Sequence, residues 1–178
     1  MLYNLLPRFK VVEINNVAAL RMGHVIAQTP AKEAGVAVKT VGDYKFLENG
    51  VIVGLDADGT LKNFDKANHY QPCLVYTEEL VTDGLLEGLD QFANLMEDGV
   101  CYPRALPLNL GDTFTTNQFK GTIGDGYGVV TDGIINIQAA KEGAMFIVKK
   151  SNLPAGQEAI ECTYIGLPMV PVANGEGA

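Results

Sequence analysis

Tryptophan is absent from this 178-residue sequence, and lysine and arginine together number only 13, against 21 aspartates and glutamates. The formal net charge is therefore −8. A nucleic-acid-binding protein needs basic side chains that displace counterions from phosphates, and docking on an anionic lipid surface needs them too. We therefore expect neither nucleic acid nor a membrane as a partner, whereas a basic protein surface fits this charge.

Cysteine is scarce as well, and Cys73, Cys101 and Cys162 are an odd number with wide spacings and no C-x-x-C pair. This pattern predicts three reduced thiols in a chain made in a cytosol, rather than a disulfide framework or a zinc site. No apolar run approaches the roughly 18 residues of a membrane span. The first six residues also lack the basic start and the long apolar run of a signal peptide.

Side chains for nucleophilic catalysis are few. Serine occurs once, at Ser151, and no Ser-His-Asp order can be assembled around it. Asp65, His69 and Cys73 are spaced by four, which on a helix would give a shared face and a Cys-His nucleophile or a metal site. Because Pro72 disfavours a helix there, we instead expect a hydrogen-bonded loop histidine.

Turn signals, by contrast, are abundant. The chain has 20 glycines, and Asp-Gly pairs begin at residues 58, 83, 98, 125 and 132. Turns this frequent, with short β-rich runs between them, predict a mainly β fold, an antiparallel sandwich or barrel, rather than βαβ units. We place one domain at residues 11–170, preceded by an arm (1–10) and followed by a flexible tail (171–178).

Three local patterns locate elements. Leu106, Leu108 and Leu110 alternate, which predicts one face of a strand. Two β-branched pairs flank residues 131–133, which predicts a short hairpin. A single short helix is predicted at about 85–96, because the following residues share a helical face: Leu85, Leu89, Phe92, Ala93 and Met96.

The segment from Val51 to Leu61 contains a D-x-D-G-T motif and resembles the signature of haloacid-dehalogenase-type phosphatases. That resemblance implies Asp56 as nucleophile, Asp58 as acid/base and a bound Mg²⁺. The alternative is a β-hairpin with its turn at residues 57–60. About fifty β-like residues precede the motif and one predicted helix follows, which does not suit the parallel sheet of that family.

Two segments are predicted to meet a partner protein. Residues 121–128 are glycine-rich but lack the Lys-Ser/Thr of a P-loop and precede a strand, so a long turn or a partner-binding surface loop is expected rather than a phosphate site. The N-terminal arm is short and apolar. The predicted contact residues are Leu2, Tyr3, Leu5, Leu6, Arg8, Gly124, Asp125 and Tyr127. No metal and no cofactor are expected.

Three segments, 68–80, 102–117 and 153–160, resemble the decoration (auxiliary or cement) proteins of tailed-bacteriophage capsids. The resemblance extends over much of residues 68–165. It implies an acidic, mostly β, non-enzymatic structural protein of the virion, made in the host cytoplasm, that binds the outer surface of the capsid shell. The implied partner is the major capsid protein, often with self-association into a homo-oligomer.

Two other functions stay open from the sequence. One is the Mg²⁺-dependent phosphohydrolase that uses Asp56 and Asp58. The other is a β-barrel that binds a small ligand, which would need an apolar cavity.

Overall fold

The structure is a computed structural model that describes residues 12–19, 24–77, 94–153 and 157–168. Within these ranges the chain forms strands and one short 3₁₀ turn, Glu33–Gly35. The strands are β1 (Val12–Ala18), β2 (Ala31–Lys32), β3 (Val38–Val41), β4 (Tyr44–Leu47), β5 (Ile52–Leu55), β6 (Leu61–Asn63), β7 (Cys73–Val75), β8 (Val100–Cys101), β9 (Ala105–Pro107), β10 (Thr113–Thr116), β11 (Phe119–Lys120), β12 (Gly126–Thr131), β13 (Ile134–Gln138), β14 (Phe146–Asn152) and β15 (Glu158–Tyr164).

These strands form two main sheets and a small hairpin. Sheet A has the order β1-β10-β15-β14-β12-β13-β11, sheet B has the order β8-β2-β6-β5-β7-β9, and β3 pairs with β4. The β11–β13 and β2–β6 pairs are parallel, and the remaining pairs are antiparallel. The predicted mainly β, sandwich-like fold is confirmed.

A first core joins sheet A to sheet B. Sheet B contributes Leu74 and Leu106, and sheet A contributes Phe114 and Phe146, whose rings meet edge to face at 5.7 Å. Such aromatic pairs add favourable contact beyond the apolar area that they bury. The two sheets are therefore held together by side chains that face inward from both.

A second core covers the opposite face of sheet B. Successive strand residues point to opposite faces, so Ile52 enters the first core while Val53 enters the second. Leu47 from β4 and Val36 pack in this second core. Sheet B is thus buried on both faces.

The β12–β13 hairpin confirms the predicted turn and also links the two sheets. Asp132 and Gly133 have φ of 52° and 75°, as a two-residue type I′ turn requires. The carbonyl of Gly133 accepts a 2.8 Å hydrogen bond from the Ile52 amide. A Cβ on Gly133 would lie 2.6 Å from Asn63 Oδ1, so only glycine lets the hairpin tip approach sheet B this closely.

The leucine alternation is correct at two positions and wrong at the third. Leu106 and Leu108 are buried in the first core, but Leu110 is 71% exposed. Strand β9 ends before it, and Asp112 Oδ2 accepts a 2.8 Å bond from the Asn109 amide that closes a turn. An aspartate that bonds the backbone nearby favours a turn over a continued strand.

The predicted helix at 85–96 is described only at its last three residues. These are not helical, because Leu95 forms an antiparallel bridge with Phe46 and the Met96 amide donates to the Lys45 carbonyl at 2.9 Å. Residues 85–93, the arm (1–10) and the tail (171–178) lie outside the described residues. In the part of the chain that the structure describes, no helix is long and apolar enough to cross a membrane.

Candidate functional site

The D-x-D-G-T segment is an antiparallel hairpin. Strands β5 and β6 pair with Leu55 opposite Leu61, and β5 also pairs antiparallel with β7. The Asp56 amide donates to the Thr60 carbonyl at 2.9 Å, and the Gly59 amide donates to the Asp56 carbonyl at 3.0 Å. The hairpin interpretation is confirmed, and both aspartates lie at its tip rather than at the end of a parallel strand.

The two carboxylates of this hairpin are held by local donors. Asp58 Oδ1 accepts from the Thr60 amide at 2.9 Å and from its hydroxyl at 2.6 Å, and Lys62 Nζ pairs with both Asp56 and Asp58. The Thr60 bonds, with Lys62, lower the pKa of Asp58 to about 2, and the Lys62 contact lowers the pKa of Asp56. These interactions stabilise the turn. None of them is specific to phosphate-ester hydrolysis, so the phosphohydrolase stays a prediction.

His69 is a buried loop histidine, as predicted. Its Nδ1 accepts a 2.9 Å hydrogen bond from the Asp65 amide, and its ring lies 5.8 Å from the ring of Phe64. A Cβ on Gly54 would come within 2.4 Å of the His69 ring. The side chain therefore packs on β5 and closes the turn that follows β6, while Cys73 is buried in β7.

The three cysteines are free and buried, which confirms the prediction of unpaired thiols. Burial raises the pKa of Cys73 and Cys101 to about 12 and raises that of Cys162 as well. Since the thiolate is the reactive form, these side chains are inert near neutral pH. Among the described residues, no group of three or more His, Cys, Asp or Glu side chains could hold a metal ion.

The glycine-rich segment is a loop only in its first part. Gly124 and Asp125 precede β12, but Gly126, Tyr127 and Gly128 belong to that strand. A Cβ on Gly126 would lie 2.7 Å from a neighbouring carbonyl oxygen, and one on Gly128 would lie 2.9 Å from a buried methyl group. The expectation of a loop through residue 128 is wrong, because two of these glycines admit close neighbours inside the sheet.

The predicted contact residues around β12 lie just before that strand and at its start. Asp125 Oδ1 accepts from the Lys150 amide at 2.9 Å, which fixes the start of β12 against β14. Tyr127 is directly opposite Ile147, so their side chains share a face. Thr163 lies opposite Ile147 on the next strand, and Gln138 lies opposite Tyr127. We call these four residues the outer row, and Ile147 within it is 40% exposed.

The other predicted contact residues belong to the N-terminal arm. Leu2, Tyr3, Leu5, Leu6 and Arg8 lie outside the described residues, so their role stays a prediction.

A cleft of about 410 Å³ lies where the β12–β13 hairpin meets the turn after β6. Its apolar wall includes Phe64 and Met145, both largely buried, and its rim carries the exposed side chains of Asp65, Lys66 and Asp132. The residues come from both sheets and are far apart in the chain. Sequence reasoning missed this cleft because no local pattern shows that the two segments meet.

Comparisons with protein-family models, with curated proteins and with solved structures find no match to this chain. Within the part of the chain that the structure describes, the outer row and the cleft are surface features that a partner could contact.

Proposed function

We propose that the protein is a structural virion protein that binds the outer surface of a bacteriophage capsid shell and stabilises or decorates it without catalysis. The partner is the major capsid protein, and the protein associates with copies of itself. Support comes from the three sequence segments that resemble decoration proteins, from the net charge of −8 and from the outer row of sheet A, in which Ile147 is exposed and Tyr127 is half-buried.

The outer row carries this proposal because it presents apolar side chains on a rigid support. Tyr127 and Ile147 lie side by side on paired strands, and β14 is paired along seven residues with β15. The first core packs behind them through Phe146 and Val148. A surface that is already ordered loses little conformational entropy on binding, and tyrosines are enriched in protein interfaces.

Co-sedimentation with purified capsid shells tests the outer row. We expect Tyr127→Ala and Ile147→Asp each to weaken shell binding about tenfold or more, as truncation at the centre of an interface does. The matched control is Leu55→Asp, which places the same charge on an exposed leucine of sheet B. Equal weakening by the control, or full binding by both outer-row variants, would contradict the assignment of this face.

Deletion of residues 1–8 tests the arm separately. We expect the deletion to leave the fold intact, measured as an unchanged melting temperature, and to weaken co-sedimentation with shells. Unchanged co-sedimentation would remove the arm from the contact. Size-exclusion mass measurements on the same samples report whether self-association depends on these residues.

A further inference from the structure

One wall of the cleft is an open strand edge. Strand β14 pairs with β12 only as far as Gly128, whose carbonyl accepts from the Met145 amide at 2.9 Å. Alternate residues of an antiparallel strand direct their N–H and C=O groups to the same side, so Val130 faces the side on which Gly128 meets β14. Among the described residues, no backbone group pairs with Val130 there.

The remaining walls add an apolar surface and a negative rim. Phe64 and Met145 supply the apolar part. The Asp65 carboxylate accepts from two neutral donors, the Ala67 amide and the Asn68 side chain. In the described part of the chain neither Asp65 nor Asp132 forms an ion pair. Lys66 is the one basic residue of the rim, so carboxylates outnumber it in a chain that is acidic overall.

We propose that the cleft binds an extended segment of the partner protein that adds a strand to β12 at Val130. This segment places an apolar side chain against Phe64 and Met145 and a lysine or arginine beside Asp65 and Asp132. Strand addition draws affinity from main-chain hydrogen bonds and specificity from the side-chain pockets. The inference rests on the proposed function only in taking the partner to be a protein, and it adds the chemistry of the segment that is recognised.

An open edge and a negative rim together favour this occupant. An unpaired strand edge is a template for another extended chain. The excess of carboxylates disfavours an acidic or phosphate-bearing ligand, whereas it attracts a cationic segment.

Peptide titration of the full-length protein tests the proposal. The probes are two fluorescein-labelled synthetic peptides, one alternating valine with lysine and one alternating valine with glutamate. We expect the lysine peptide to bind at least about tenfold more tightly, because like charges at an interface oppose association. Binding should also slow hydrogen exchange of the Val130 amide, which a purely ionic contact would not do.

Two variants separate the edge from the rim. Val130→Pro removes the N–H that faces the cleft, at a position where an edge strand tolerates proline. It should weaken binding of the lysine peptide about fivefold or more. Asp132→Asn keeps a residue type that tolerates the positive φ of this turn position, and it should weaken binding of the lysine peptide about two- to fivefold. The control is Asp43→Asn, which makes the same charge change in the exposed β3–β4 turn.

The outcomes distinguish this inference from the proposed function. Equal affinity for both peptides, unchanged exchange at Val130, or equal binding by Asp132→Asn and the wild type would each overturn it, even if Val130→Pro failed to fold. If wild-type protein bound the lysine peptide with protection at Val130 but did not co-sediment with shells, the capsid proposal would fail and the cleft would stand. Shell binding without peptide binding would give the reverse conclusion.

Discussion

Sheets A and B place similar β-forming residues in opposite surroundings. In sheet B, strands β7 and β9 are buried at every residue, because each face of the sheet packs on its own core. In sheet A, buried and exposed side chains alternate over the first four residues of β14: Phe146 and Val148 are buried, and Ile147 and Lys149 are exposed. The outer row therefore belongs to sheet A, while strands β7 and β9 of sheet B are committed to internal packing.

Continuous apolar strands are usual in parallel sheets, which are covered on both sides. Sheet B shows the same burial although it is largely antiparallel. Sheet A covers one of its faces, and the β3–β4 hairpin covers the other together with Val36 and Met96. Burial of both sheet faces therefore determines whether a strand is continuously apolar, and strand direction by itself does not.

Truncation of a core residue in each sheet should give the largest difference between the two. Leu74→Ala in sheet B removes a fully buried side chain and should lower the free energy of unfolding by about 3 kcal/mol, through lost transfer energy and a cavity. Ile147→Ala on the outer row should cost less than about 1 kcal/mol. Urea denaturation of both variants measures this. Similar losses would show that the outer row is not a free surface in the isolated protein.

A smaller but still clear effect is expected from adding a methyl group to sheet B. In Gly54→Ala the new Cβ would lie 2.4 Å from the His69 ring, so the histidine must move and lose its bond from the Asp65 amide. We expect a loss of about 2 kcal/mol in unfolding free energy. Gly124→Ala is the control, since nothing lies within 4 Å of its Cβ. A neutral Gly54→Ala would mean that His69 packs less tightly than described.

The smallest expected effect is the pH dependence of the hairpin that ends β5. The pKa of Asp58 in the folded protein is about 2, below the ordinary value of 3.8. A carboxylate with a depressed folded-state pKa stabilises the fold above its unfolded-state pKa, and this contribution is lost as the pH falls through the folded value.

Thermal melts of wild type and Asp58→Asn between pH 6 and pH 2 measure this contribution. The difference in melting temperature between the two proteins should be constant above about pH 4 and shrink toward pH 2. A difference that stays constant throughout would show that the Thr60 and Lys62 contacts do not depend on the charge of Asp58.

The elements that were predicted correctly are those with a local cause. Asp132-Gly133 forms its hairpin because both residues accept positive φ, and the Asp56–Thr60 turn closes with bonds between near neighbours. The leucine alternation predicts a strand face at Leu110 wrongly, because the alternation continues past Pro107, where β9 ends. The Asn109–Asp112 hydrogen bond that ends the regular pairing has an equally local signal in the Asn-Leu-Gly-Asp sequence.

The residues of the candidate site likewise divide into those with a local sequence signal and those placed only by long-range contacts. Asp125 and Tyr127 could be selected from the glycine-rich sequence around them, but Ile147 joined them only through cross-strand pairing. The cleft could not be predicted, because it needs the β12–β13 hairpin tip to reach sheet B. That contact depends on Gly133 fitting against Asn63 and on its carbonyl meeting the Ile52 amide.

Composition and turn chemistry were enough to determine a mainly β chain, its acidic charge, its free thiols and its tightest hairpins. The charge and the cysteine count are properties of the composition, and each hairpin depends on residues near one another in the chain. The assignment of faces was decided by long-range packing. A valine or leucine in a strand has the same local preference whether one face or both are covered. Only the arrangement of the sheets buried Val53, exposed Ile147 and left the edge of β12 open at Val130.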